Sequence, residues 1–351
     1  MDTLTHIVAG AAVGELLLGK KVGKKAMLWG ALAGNAPDVD AFMNFFVSDL
    51  DSLILHRGIT HSVFVAAVVG PLLGWLLYNF YGRLHLFGWM MLFTINIWFH
   101  EFLDTCTMYG TALLLPFSDY RFAFNNIFVV DPLYTIPLLI TVMALLILPK
   151  NATSRRKWNL AGIFISSIYM ASTFFSQSLA KQSLQLSLQD KDDVNYETVV
   201  VPTLFNTLLW NVTAKTDTGF WTGYVSVFDT SEKANLYFIP KDPVLEASLS
   251  GSIAVQRLSR FSNGFFVIRQ KGSDYYFHDL RFGQVSGWSD SNSHFGFSFN
   301  LSPKADNSMV VQQGRIEGLE PLVFKSMIFR AFGRSSVIDA EYSVHGKQHP
   351  K

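Results

Sequence analysis

Long apolar runs fill the first half of this 351-residue chain and dominate what it can fold into. Only 16% of the residues are charged, against about 25% in ordinary soluble proteins. Backbone polar groups inside a bilayer must be paired within the chain, so such runs form helices. About 20 apolar residues span a bilayer. The pattern predicts about six helical segments: 4–19, 26–47, 62–82, 84–103, 127–149 and 158–179.

The second segment, 26–47, is interrupted by Pro37, Asp38 and Asp40. It is therefore expected to be a half-membrane helix followed by a loop, or a re-entrant element. The predicted organisation is an α-helical multi-pass membrane domain, residues 1–180, followed by a soluble domain, residues 181–351.

The second half has short aromatic and β-branched runs separated by Gly, Asn, Asp and Ser, a pattern typical of strands. Examples are GFWTGYVSVF, NGFFVIRQ and DYYFHDLRFG. FSNGFF is interpreted as a tight turn, and VPTLFNTLLWNV as a short helix or a strand. These features predict a mainly β, sandwich-like domain.

The distribution of Lys and Arg sets the expected orientation, because positive charges favour cytoplasmic loops. With the N-terminus outside, the inner loops hold nine: Lys20, Lys21, Lys24, Lys25, Arg83, Lys150, Arg155, Arg156 and Lys157. The outer loops of residues 1–180 hold two, Arg57 and Arg121. We therefore expect the second domain to be extracytoplasmic. The net charge of +1 gives no reason to expect nucleic-acid binding.

Histidines and acids gather at the outer ends of four segments in this topology. Asp2 and His6, and His100 and Asp104, are four residues apart and so share a helix face. Imidazole and carboxylate ligands without thiolate suit zinc, manganese or iron. Eight candidates exceed the needs of one zinc ion and suggest two or more metal ions: Asp2, His6, Asp38, Asp40, His56, His61, His100 and Asp104.

Each of these residues also has an ordinary structural interpretation. A single membrane histidine more often packs or forms hydrogen bonds, Asp2 can be only a helix N-cap, and Asp38 and Asp40 can cap a turn. Arg57 and Arg121 suit phosphate binding, but ion pairing or interfacial snorkelling explains them equally well. Asp40 and Glu101 are candidate general bases.

Five motifs in order resemble the YdjM-like family of bacterial inner-membrane proteins, which are predicted metal-dependent hydrolases: MDTLTHIVAG, GALAGNAPDVD, HRGITHS, FHEFLDTCTMYGT and PFSDYRFAF. That family is distantly similar to zinc-dependent phospholipase C. The resemblance implies an inner-membrane location and metal ligation by His6, Asp38, Asp40, His56, His61, His100 and Asp104.

The favoured function is a metal-dependent hydrolase that cleaves a phosphoester of a lipid or lipid-linked substrate at the outer membrane face. Two alternatives are a divalent-metal transporter and a non-catalytic scaffold with a structural metal. Transport requires acidic or histidine side chains through the full membrane depth, and of these residue types the inner half of residues 1–180 holds only Glu15 and His85.

Overall fold

The computed structural model describes residues 1–81, 85–189, 191, 196–302, 305–307 and 320–334. The contacts divide the chain into two units, Met1–Thr173 and Phe174–Lys351. One helix, α7, runs through the boundary between them.

The first unit is helical, and each of the six predicted segments contains a helix. In chain order the described helices up to α7 are α1 (Thr3–Val22), α2 (Lys24–Gly34), α3 (Asp49–Leu55), α4 (Val63–Phe80), α5 (Leu86–Thr105), α6 (Pro132–Ile147) and α7 (Ser154–Leu188), and α3 lies between two predicted segments. Two 3-10 helices, Pro37–Phe45 and Ile59–His61, flank α3. Among the described helices, α4, α5 and α7 are long and apolar enough to cross a membrane, and α6 is a shorter apolar helix.

The interrupted second segment, 26–47, forms two short helices. The α2 helix ends at Gly34, and the chain continues as a 3-10 helix from Pro37. Proline cannot donate the backbone hydrogen bond of a continuing α-helix. This 3-10 helix carries Asp38 and Asp40.

Glycines let α1 and α2 pack with their backbones in contact. Gly10 and Gly14 on α1 face Gly30 and Gly34 on α2. A Cβ on Gly30 would lie 2.2 Å from the Gly10 carbonyl oxygen, and one on Gly34 would lie 2.8 Å from the His6 carbonyl oxygen. Small residues four apart allow this close approach in membrane helices. The packing brings the start of α1 level with the end of α2.

Basic residues cluster at the opposite end of α1. Arg155 forms a buried bidentate ion pair with Glu15, with Nε–Oε1 and Nη2–Oε2 distances of 2.9 and 2.8 Å. The Lys150 ammonium donates to the Lys21 carbonyl at 3.1 Å, and Lys24 donates to the Leu146 carbonyl. Cations are favourable at helix C-termini, where carbonyls are unpaired.

The second unit is mainly β, as predicted, and its strands are antiparallel. A four-stranded sheet has the order β1 (Glu197–Pro202), β2 (Leu209–Lys215), β3 (Gly219–Ser226), β4 (Leu236–Pro240). A three-stranded sheet has the order β5 (Phe266–Lys271), β6 (Asp274–Asp279), β7 (Ser298–Asn300). The last turns of α7 pack against the first sheet through Ala180, Leu184 and Leu188.

Among the described residues of this unit, three helices were not predicted: α8 (Pro243–Leu249), α9 (Ile253–Phe261) and α10 (Pro321–Ala331). FSNGFF is the end of α9 followed by the start of β5, with Gly264 at φ +75°, and is not the turn of a β-hairpin. VPTLFNTLLWNV contains the end of β1, a turn and the start of β2.

The DLRFG sequence has a structural role. Asp279 caps a 3-10 turn by accepting from the Arg281 backbone N–H at 3.0 Å, and it also pairs with the Arg281 guanidinium at 2.7 Å. Gly283 ends the turn at φ +62°, where an added Cβ would lie 2.8 Å from the Tyr224 hydroxyl oxygen. Glycine adopts this left-handed conformation at little cost.

Candidate metal centre

Four side chains from three segments converge at one end of the helical unit. Asp38 comes from the first 3-10 helix, His61 ends the second, and His100 and Asp104 lie one turn apart on α5. Their ligand atoms all lie within 4.8 Å of one another. His61 Nε2 lies 3.4 Å from Asp38 Oδ1 and 3.4 Å from Asp104 Oδ2. His100 Nε2 lies 3.5 and 3.6 Å from the same two oxygens.

A backbone carbonyl orients His100. Its Nδ1 lies 2.7 Å from the Gly34 carbonyl oxygen. A carbonyl oxygen only accepts, so Nδ1 must carry the proton, and the Nε2 of a neutral ring then presents a lone pair. This is the arrangement in which a metal-ligating histidine donates its other N–H to a fixed acceptor.

Asp40 and Thr60 orient His61 in the same way. The Thr60 hydroxyl donates to Asp40 Oδ2 at 2.8 Å, and His61 Nδ1 lies 3.0 Å from that hydroxyl and 3.3 Å from Asp40 Oδ2. With Nδ1 donating, His61 Nε2 also presents a lone pair when the ring is neutral.

The two imidazole nitrogens face each other at 3.1 Å. His61, His100 and Asp104 are buried, with 0–1% of each side chain exposed. Two lone pairs and two carboxylates in a buried site repel one another unless a cation or protons lie between them. The donor set and its spacing therefore fit a divalent metal ion, which imidazole and carboxylate ligands bind well.

A second group of possible ligands shares Asp38 with the first. Asp38, Asp40 and His56 offer one ligand atom each within 4.8 Å. Asp40 is also engaged by the protein, because its Oδ1 lies 2.9 Å from His56 Nδ1 and its Oδ2 accepts from the Arg57 backbone N–H at 3.1 Å. Together with its contact to His61 Nδ1, these contacts give Asp40 a role in orienting His56 and His61.

His6 lies beside the four central residues, whereas Asp2 serves as a helix cap. The His6 ring stacks on His100 with centroids 3.7 Å apart, and its Nε2 lies 3.2 Å from Asp104 Oδ1. The Met1 amino group also contacts Asp104 Oδ1. Asp2 is the N-cap of α1, accepting from the Thr5 backbone N–H at 3.0 Å, which is the structural alternative considered from the sequence.

Arg57 is fully buried against Asp104. Its Nε lies 2.9 Å from Asp104 Oδ2, and its Nη1 donates to the Thr107 hydroxyl at 2.6 Å. The predicted phosphate-binding role competes with these contacts, which instead favour the ion-pair alternative. Arg57 balances the charge of Asp104 and restricts its orientation.

Arg121 and Glu101, the other predicted catalytic residues, have contrasting surroundings. The Arg121 Nη2 donates to the Ile54 and His56 carbonyls at 2.5 and 3.2 Å, which ties the end of α3 to the loop after α5. Glu101 is 1% exposed, and neither carboxyl oxygen has a hydrogen-bond partner among the described residues. A buried carboxyl without a partner is costly and requires a proton, water, a cation or a ligand.

Sequence reasoning did not find the groups that position the ligands. The Gly34 carbonyl, the Thr60 hydroxyl and the Thr107 hydroxyl act through tertiary contacts. The paired G-x-x-x-G spacings in α1 and α2 were an available signal for the helix contact that places Gly34.

The fold and the site define a helical membrane protein with a buried His–Asp cluster able to hold a metal ion. The model of the YdjM inner membrane protein family matches residues 1–180. The chain belongs to this family.

Two relatives match part of the chain. The chain is 34% identical over 142 residues to the uncharacterized protein YfhP of Bacillus subtilis (strain 168), and this match covers 38% of the chain and 42% of YfhP. It is 30% identical over 121 residues to the inner membrane protein YbcI of Escherichia coli (strain K12), covering 34% of this chain and 69% of YbcI. The match therefore spans less than half the length of YfhP. No solved structure matches the chain.

Proposed function

We propose that this chain is a membrane-bound metal-dependent hydrolase that cleaves a phosphoester of a lipid or lipid-linked substrate at the outer face of the membrane. The main support is that His61 Nε2 and His100 Nε2 lie 3.1 Å apart and are flanked by the Asp38 and Asp104 carboxylates. Both histidines have Nδ1 next to an acceptor, so their lone pairs point inward together.

Zinc is the proposed metal, with manganese and iron as chemically related alternatives. Asp38, His61, His100 and Asp104 would hold the first ion. The group Asp38, Asp40 and His56 supports a second ion, because one carboxylate has two oxygens and can serve two neighbouring cations.

A bound divalent metal supplies Lewis-acid chemistry and lowers the pKa of water. The protein itself would provide the proton acceptor. Glu101 is proposed as this general base because its carboxyl oxygens have no protein partner among the described residues. Asp40 would orient His56 and His61, and Arg57 would orient Asp104.

The proposed topology has six crossings, with the N-terminus and the β-rich unit outside the cytoplasm and the two sheets forming a sandwich. The clustering of Lys21, Lys24, Lys150 and Arg155 at the end of α1 away from the ligands supports it. Positive residues favour the cytoplasmic face.

The ion pair between Glu15 and Arg155 favours hydrolysis over metal transport. A transported cation needs successive accessible ligands across the membrane. Glu15 lies toward the end opposite the centre, and both of its carboxyl oxygens are engaged by Arg155.

Metal analysis of purified variants tests the proposal. Asp38→Asn and His61→Ala should each lose most of the bound metal, while His85→Ala, a matched change at an exposed histidine, should retain it. A screen of phospholipid and other phosphoester substrates with the metal-loaded protein tests the reaction. Equal metal loss in all three variants would point to misfolding, and full metal retention in Asp38→Asn and His61→Ala would exclude this centre.

A further inference from the structure

The 3-10 helix Pro37–Phe45 has two chemically opposite faces. Asp38 and Asp40 point inward and contact the site histidines. Val39, Phe42 and Phe45 on this helix and Phe46 directly after it point outward, with 55, 66, 81 and 81% of their surfaces exposed. One short element thus provides ligands to the candidate centre and a large aromatic surface to its surroundings.

Elements on either side of this helix in the chain carry further exposed apolar residues. Leu28 and Leu32 on α2 are 56 and 51% exposed and precede it along the chain. Leu55 and Ile59, on either side of His56, are 46 and 51% exposed. From residue 36 to residue 46 the only charged residues are Asp38 and Asp40. Large exposed apolar patches mark membrane or partner contacts.

The same elements contain the parts of the centre that reach the surface. The side chains of Asp38 and His56 are 22 and 19% exposed, whereas those of His61 and His100 are fully buried. The partly exposed ligands Asp38 and His56 are therefore chain neighbours of the exposed apolar residues Val39 and Leu55.

We propose that residues 37–46 form a lipid-binding surface, with the aromatic side chains among the acyl chains of the adjacent membrane leaflet. A bilayer phospholipid would reach the centre sideways from that leaflet, so that its headgroup meets Asp38 and His56 while its acyl chains stay beside Phe42, Phe45 and Phe46. The phosphoester substrate class rests on the proposed function, but the membrane location of this surface does not.

Spin-label accessibility tests the location. Phe45→Cys and Phe46→Cys are labelled in a Cys106→Ser background and reconstituted into phosphatidylethanolamine–phosphatidylglycerol vesicles. Both labels should collide with oxygen more than with a water-soluble nickel chelate. The control, Phe228→Cys, replaces an aromatic residue of the second unit that is 52% exposed, and its label should show the reverse. Labels at positions 45 and 46 that match the control would overturn the proposal.

Photo-crosslinking tests the lipid path. A phospholipid with a diazirine in one acyl chain should label residues 37–46 of the wild-type protein. Changing Phe42, Phe45 and Phe46 to Ser together should reduce this labelling several-fold without changing bound metal, whereas Phe228→Ser should leave it unchanged. Unchanged labelling in the triple variant would refute the path. A wild-type protein that binds metal and shows the expected labelling at residues 37–46, but hydrolyses no substrate in the screen, would instead count against the hydrolase alone.

Discussion

Replacing Gly14 by Ala tests whether the contact between α1 and α2 holds the candidate centre together. The new Cβ would lie 2.2 Å from the Ala26 carbonyl oxygen and 3.0 Å from the Gly30 Cα. A relaxed contact needs about 3.5 Å, so the two backbones must separate by about 1 Å. Both obstructing atoms belong to the backbone of a helix and cannot rotate away.

Two effects of opposite sign then compete. Alanine stabilises a helix by about 1 kcal/mol relative to glycine, and overpacking costs about 1–3 kcal/mol. Because the obstruction is rigid, we expect the overpacking to exceed the gain and lower the free energy of unfolding by about 1 kcal/mol. Bound metal should also fall, since α2 carries the Gly34 carbonyl that orients His100.

Denaturant unfolding in detergent and metal analysis of the purified variant measure the two outcomes. Gly251→Ala is the control, because its added Cβ has no heavy atom within 4 Å. A Gly14→Ala protein as stable and as metal-loaded as wild type would refute the reasoning. A loss of stability with normal metal content would show that the helix contact and the centre are independent.

Three further predictions concern charge. Arg57→Lys should lower stability by about 1–3 kcal/mol for the lost buried contacts. It should also lower metal content, because the guanidinium that contacts the Asp104 carboxylate through Nε is removed. Normal metal content would indicate a role in substrate binding alone. Burial lowers the pKa of His278 from 6.5 to about 4 in the folded protein. As the pH falls from 6.5 to 4, the unfolded chain therefore binds this proton before the folded protein does, and the free energy of unfolding should fall by up to about 3 kcal/mol. His278→Gln should flatten this part of the pH profile measured by denaturant unfolding, and an unchanged slope would assign it to another group. In intact cells of a variant without the native cysteine, an impermeant thiol reagent should label a cysteine at Ser293 and not one at Ser154; the opposite labelling would invert the proposed topology.

The sequence determined the helical and β-rich halves because hydrophobic periodicity and run length are local properties. Each of the six apolar runs contains a helix, β3 and β6 lie within GFWTGYVSVF and DYYFHDLRFG, and β5 overlaps NGFFVIRQ. The α9 helix was missed although Val255, Leu258 and Phe261 repeat every three residues and are buried. This helix has only nine residues, and polar residues separate its buried apolar positions, so its amphipathic pattern is short and was not recognised.

Residue chemistry also determined the candidate ligands, since few residue types bind divalent metals and the sequence places them at matching ends of several segments. Only the tertiary structure decided how they are used. Asp38, His61, His100 and Asp104 converge, Asp2 caps α1, and Arg57 pairs with Asp104. The physical reason is that these roles depend on separations of about 3 Å between atoms far apart in the chain, 66 residues for His100 Nδ1 and the Gly34 carbonyl and 98 for His6 Nε2 and Asp104 Oδ1. Such distances follow from helix packing, which no local pattern specifies.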